Sequence, residues 1–230
     1  MLVEIVMENF FSFKDEATFS MVASPIAEHP EAVYGKDNIA VTKLATIYGA
    51  NASGKSNLLK AMKMIQEGVL LQNYTSTEWL EHIEPFHLDA RTEKKDTMLE
   101  ASFLLAGRLY RYGFFVNRKR VTEEFLYLEG EAQKDLFFRN ATGQIVGGEW
   151  ADLFRKITLE DTRLALSSLL SAPESAEYPE LKLFLEWFTE MRIILDTSKI
   201  GLTISMAKMH LSKYKHNLLA LIRVADPSIQ

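Results

Sequence analysis

Gly49-Ala50-Asn51-Ala52-Ser53-Gly54-Lys55-Ser56 satisfies the pattern G-x-x-x-x-G-K-[ST] at every fixed position. The chemistry open to such a run is polyphosphate binding. Glycines at both ends admit dihedrals and close approaches that a Cβ would block. Backbone amides from residues 51 to 56 can then converge on a β-phosphate, beside the positive end of a following helix. Lys55, the one catalytic candidate, reaches the β- and γ-phosphate oxygens. Ser56 offers its hydroxyl to Mg²⁺, a hard cation that takes oxygen ligands. The expected ligands are ATP and Mg²⁺, and the expected binding set is Gly49, Ala50, Asn51, Ala52, Ser53, Gly54, Lys55, Ser56 and Asn57. The competing reading is a glycine-containing turn that matches by accident, which at average residue usage happens in about 1% of chains this long.

A loop of this kind works only between a strand and a helix. Residues 44–48 (LATIY) read as the strand. From Lys55 onward Leu58, Leu59, Met62, Ile65 and Val69 recur at helical spacing, predicting an amphipathic helix to about residue 71. Upstream, residues 2–8 and 17–23 are strand candidates, with a breaker-rich loop over 24–38. Downstream, residues 98–105, 109–116 and 121–128 form a meander joined by Ala106-Gly107 and Asn117-Arg118-Lys119, with a further hairpin over 136–146. After Gly147-Gly148 the pattern turns helical, over 162–171, 180–188 and about 205–224, with a short apolar strand candidate at 192–195. The predicted fold is α/β: a mixed, largely antiparallel β-layer against a P-loop core, then a helical segment. The predicted division is 1–150 for the lobe with the loop and meander, and 151–230 for the helical segment leading to a further lobe.

The chain has 230 residues, 47% hydrophobic and 25% charged, which describes an ordinary globular protein. No run approaches the roughly 18 apolar residues of a membrane helix, and the acidic start MLVEIVMENF does not read as a secretory signal. A cytoplasmic location without a membrane partner is expected. The absence of cysteine excludes disulfides, thiolate chemistry and cysteine-ligated zinc. A net charge of −5 argues against a surface built throughout for nucleic acid. The run Arg108, Arg111, Arg118, Lys119, Arg120 is the one candidate basic patch, or else the solvated face and turns of a hairpin.

LVEIVMENFFSFKDEATFSMVAS, followed by TIYGANASGKSNLLKAM, resembles the opening of ABC-class ATPases of the RecF, SMC and OLD type, in which an N-F-x-S-F turn joins two strands ahead of the phosphate loop. IEPFHLD, the meander and LALSSLL…FLEWFTEMRII are similar to the AAA-type, OLD-like ATPases of bacterial abortive-infection and other anti-phage systems, relatives of RloC among them. The resemblance implies MgATP binding, hydrolysis completed by a C-terminal lobe, homodimerisation through the ATPase heads, and a nuclease or nucleic-acid partner in the complete protein. Relatives place a basic residue near the phosphates at x, where this chain has Phe11; Lys14 is the candidate substitute. No LSGGQ-like signature, Asp-Glu-ending strand or switch histidine is found, so the chain resembles the N-terminal half of a longer ATPase, one that binds nucleotide with little turnover.

Two other functions stay open. One is a self-contained P-loop NTPase or kinase using Asp196, at the end of Arg192-Ile193-Ile194-Leu195, to anchor Mg²⁺. The other is a non-hydrolysing, nucleotide-dependent interaction module presenting the meander. His82 and His87 flank Pro85-Phe86 near the place where related ATPases carry a Q-loop, and read either as γ-phosphate sensors or as a structural turn. His210 and His216, six residues apart, do not share a helical face, and Trp79, Trp150 and Trp187 read as packing residues.

Overall fold

The computed structural model describes residues 1–26, 28–35, 39–71, 75–173, 175 and 178–195. Asp196, His210, His216 and the helix expected over 205–224 lie outside the described residues. Packing separates Met1–Ile193 from Ile194–Gln230.

Seven strands form one sheet: β1 (Leu2–Glu8), β2 (Ala17–Ser20), β5 (Thr97–Leu105), β6 (Arg108–Val116), β7 (Val121–Glu129), β8 (Lys134–Arg139) and β9 (Ile145–Gly147), in the order β2-β1-β5-β6-β7-β8-β9. Every pairing among them is antiparallel. A separate ribbon pairs β3 (Val33–Tyr34) with β4 (Val41–Thr42). The β5–β6–β7 meander follows from side-chain alternation: Leu99, Ala101 and Phe103, then Tyr110, Tyr112 and Phe114, then Leu126, all enter the core. Helices cover that face: α1 (Lys55–Leu70), α2 (Ser76–Glu81), α3 (Ala165–Ser171) and α4 (Pro179–Glu190).

Helix α1 buries Leu58, Ala61, Ile65, Gly68 and Val69 along one stripe. Gly68 is where the Trp79 indole lies; a Cβ there would come within 2.4 Å of the ring. Trp79 Nε1 donates to Met64 O at 3.0 Å, so α2 is pinned across α1. Trp187 stacks on Phe103 with ring centroids 4.1 Å apart, and Trp150 meets Phe184 edge-on. All three tryptophans are thus packing residues, as their sequence context suggests.

Residues 44–48 differ from expectation. They form no strand, and Leu44 and Tyr48 are 81% and 88% exposed. Strand-prone composition needs a neighbouring strand to pair with, and the sheet is built from other segments. Residues 192–195 are likewise not a strand.

The face of the sheet opposite the helices carries Glu4, Glu100, Arg111 and Glu129. Burial pushes the Glu100 carboxyl up to about 6; Arg111 pulls it down, while Glu16, Glu4 and Glu129 push it further up. A raised folded pKa means stability that is present below the ordinary value near 4.5 and lost as pH rises through about 6. Glu100→Gln should therefore raise stability near neutral pH by about 1–2 kcal/mol, with the gain vanishing at acidic pH. Thermal melts of both proteins across that range check this; an equal difference at every pH refutes it.

Candidate functional site

Helix α1 starts at Lys55, after a loop exposed over residues 49–53 and a buried Gly54. Gly54 caps it at φ 95°, a left-handed conformation suited to glycine. A Cβ on Gly54 would lie 2.9 Å from Ser12 Oγ and 3.2 Å from the Phe13 ring. Ala52 is also left-handed, at φ 63°. Alternation of this kind turns successive amides toward one side, the arrangement that makes anion-binding concavities. Lys55 folds its ammonium back over the loop, donating to Gly49 O at 2.8 Å, Ala50 O at 2.7 Å and Ser53 Oγ at 3.3 Å. A cation, a curled main chain and a 16-residue helix dipole therefore converge on one spot.

The turn between β1 and β2 forms the wall of this loop. Asn9, fully buried at φ 50°, uses Nδ2 to reach Thr92 O at 2.9 Å and Lys95 O at 2.7 Å, and its Oδ1 accepts from Phe86 N at 3.0 Å. Asn57 Nδ2 donates to Ser12 Oγ at 2.9 Å, joining the turn to the first turn of α1. Phe11, at the place where relatives carry a base, has Lys60 Nζ 4.0 Å from its ring centroid. Lys14 does not take that place; it pairs with Asp89 at 3.0 Å. Hydrogen bonds from Arg91, chiefly its side chain and then its amide, with Lys14 third, hold the Asp89 carboxyl well below the usual carboxylate range.

His82 and His87 stand on a segment that reaches this wall. Phe11 N donates to Glu84 O at 2.8 Å. His82 Nδ1 lies 2.7 Å from Glu78 O, and His87 Nε2 lies 2.9 Å from Glu84 Oε2. Arg118 braces the same segment, donating to Ile83 O at 3.0 Å and to Glu84 Oε2 at 2.6 Å. A groove of about 620 Å³ opens between the turn, α1 and this segment, lined by Ser12, Asn57, His82, Phe86 and His87 among others. The clamp by Asn9 and the brace by Arg118 went unread in the sequence, where only the turn motif and the hairpin tip stood out.

The basic run does not form one patch. Arg108 and Arg118 sit at opposite ends of β6, with Arg108 paired to Glu180, Arg111 to Glu129 and Arg118 to Glu84. This is the solvated-hairpin reading. Among the described residues there is no group of three or more His, Asp or Glu placed to hold a metal, and no helix long and apolar enough to cross a membrane.

Residues 44–146 match a protein family described as "AAA domain, putative AbiEii toxin, Type IV TA system". The matched stretch, somewhat under half of the chain, takes in the glycine-lysine loop, α1 and the whole meander. It supports an AAA-type P-loop ATPase, a group for which ATP and Mg²⁺ are the expected ligands. No curated protein matches the chain.

Proposed function

We propose that residues 49–57 bind MgATP and that the chain is the nucleotide-binding N-terminal portion of an ABC-class, OLD-like ATPase of a bacterial anti-phage system. The observation that carries the reading is the Gly54–Lys55 junction. A left-handed glycine, where a Cβ would press on Ser12 Oγ and the Phe13 ring, hands the chain directly to a long helix, and the lysine ammonium already sits against main-chain oxygens of the loop. Those residues fit a polyphosphate. Lys55 exchanges carbonyl partners for phosphate oxygens, the loop amides hold the β-phosphate, and Ser56 supplies a hydroxyl to Mg²⁺. When bound, the metal neutralises charge on the phosphates.

Hydrolysis needs in addition an acid to anchor the metal and a group to orient water. The exposed, unpaired 44–48 segment supports a reading in which those groups arrive with an adjoining lobe. A strand set against these β-prone residues would extend the core beside the phosphate loop and cover Leu44, Ile47 and Tyr48. Dimerisation of two such heads then completes the site, and ATP acts as the switch between separated and engaged heads. The abortive-infection context rests on the family description and on the resemblance of the turn, loop and meander.

Calorimetric titration of this chain with MgATP tests the proposal. Saturable binding with little phosphate release is expected; heats no larger than dilution would overturn the assignment.

A further inference from the structure

We propose that the groove between residues 11–12, the start of α1 and residues 82–88 holds the nucleoside end of the nucleotide. The inference rests on the phosphate reading above and extends it to the uncharged half of the ligand. The groove is open to solvent, and its volume of about 620 Å³ is in the range of small-molecule sites. It shares Ser12 and Asn57 with the wall of the phosphate loop: Ser12 approaches Gly54, and Asn57 is the third residue of α1. The groove therefore adjoins the loop through these two residues.

The chemistry of the walls changes between the two parts. At the loop, an ammonium and a helix N-terminus favour negative charge. In the groove, Phe86 and His87 present ring systems and Leu88 an exposed apolar side chain, while Glu81 supplies a carboxylate and the Glu84 carboxylate is paired to Arg118. Carboxylates repel phosphate, whereas flat rings stack on a base of any identity. The change in wall chemistry thus favours one direction, with the phosphates on Lys55 and the base toward Phe86.

The walls are also preorganised. Phe86 is fixed from both sides of its backbone, its amide by Asn9 Oδ1 at 3.0 Å and its carbonyl by Thr92 Oγ1. Glu84 O accepts from Phe11 N, and the Glu84 side chain holds His87 and Arg118 together. A platform held this way binds without first being ordered.

The test compares MgATP with magnesium tripolyphosphate, which has the phosphates and no nucleoside. Phe86→Ala and His87→Ala should each weaken MgATP binding about tenfold and leave tripolyphosphate binding unchanged. Should Phe86→Ala fail to fold, His87→Ala at its exposed position carries the test alone. Unchanged MgATP affinity in the folded variants overturns the proposal. So does an equal loss for both ligands, which would place phosphate in the groove. If the parent chain binds neither ligand, the phosphate reading itself falls and the groove assignment with it.

Discussion

Lys55→Ala is expected to weaken MgATP binding by about two orders of magnitude while leaving the melting temperature nearly unchanged. The lysine makes charge-assisted hydrogen bonds to main-chain oxygens at 2.8 and 2.7 Å. Both are exposed and compete with water, so their loss costs about 1 kcal/mol of stability or less. Against phosphate the same ammonium meets full negative charge. Hydrogen bonds to charged groups contribute about 1.5–3 kcal/mol each, and two of them at the lower end of that range correspond to roughly 100-fold in affinity. Lys55→Arg is not a conservative control, because a planar fork cannot lie over the two carbonyls as a compact ammonium does. Titration of parent and variant with MgATP, alongside circular dichroism to verify the fold, separates the outcomes. Equal affinity in a folded Lys55→Ala protein removes the basis for the function proposed here. A variant that fails to fold would mean that the lysine holds the loop together.

The part of the site legible in the sequence is the part whose chemistry is local. Gly54, Lys55 and Ser56 announce themselves because a loop-to-helix junction leaves its mark on consecutive residues, and β5, β6 and β7 do so because β-branched, aromatic and aliphatic residues run together between short hairpin connections. The capping box at Thr75 was also present as Thr-x-x-Glu: Thr75 Oγ1 accepts from Glu78 N at 3.2 Å, and Thr75 N donates to Glu78 Oε2 at 2.8 Å. That signal begins α2, which periodicity alone did not suggest over six residues. The strand expected over 44–48 shows the opposite limit. Its composition favours a ladder, but pairing depends on a neighbour, and none of the described strands lies against it. Asn9 illustrates a third case. Its type suits a left-handed turn, whereas its clamp on Thr92, Lys95 and Phe86 depends on segments roughly 80 residues away.

The largest loss of stability is expected from Glu124→Ala, at about 3–5 kcal/mol. In the sequence Glu123 and Glu124 look alike, but strand parity with Leu126 turns Glu124 into the core, where it is fully buried. There its carboxylate accepts hydrogen bonds from Leu166 N at 2.9 Å, from Ala165 N, and from the Tyr112 hydroxyl at 2.9 Å. Helix α3 has no side-chain cap of its own, so Glu124 serves as its cap from across the sheet. Directly opposite on β8 stands Arg139, also fully buried, which donates to Arg163 O at 2.7 Å and Glu160 O at 3.0 Å. The pair thus grips the 160–166 segment from both sides, the acid by its amides and the base by its carbonyls. Burial pushes the Glu124 carboxyl up, while the amides of Leu166 and Ala165, then Tyr112 and Arg139, pull it back. Alanine at this position would leave two amides and a hydroxyl without an acceptor, and the buried Arg139 guanidinium would keep, among the described residues, only the exposed Asp161 carboxylate, at 3.6 Å, as its ion-pair partner. Glu124→Gln keeps the volume and one acceptor, and should lose only about 1–3 kcal/mol. Arg139→Met in the Glu124→Ala background should recover part of the loss, since it removes a fully buried charge left with the exposed Asp161 as its ion-pair partner. Urea denaturation of the three variants tests this arrangement. A Glu124→Ala loss below about 1 kcal/mol, or strictly additive effects in the double variant, would show that the two residues do not act as one anchor.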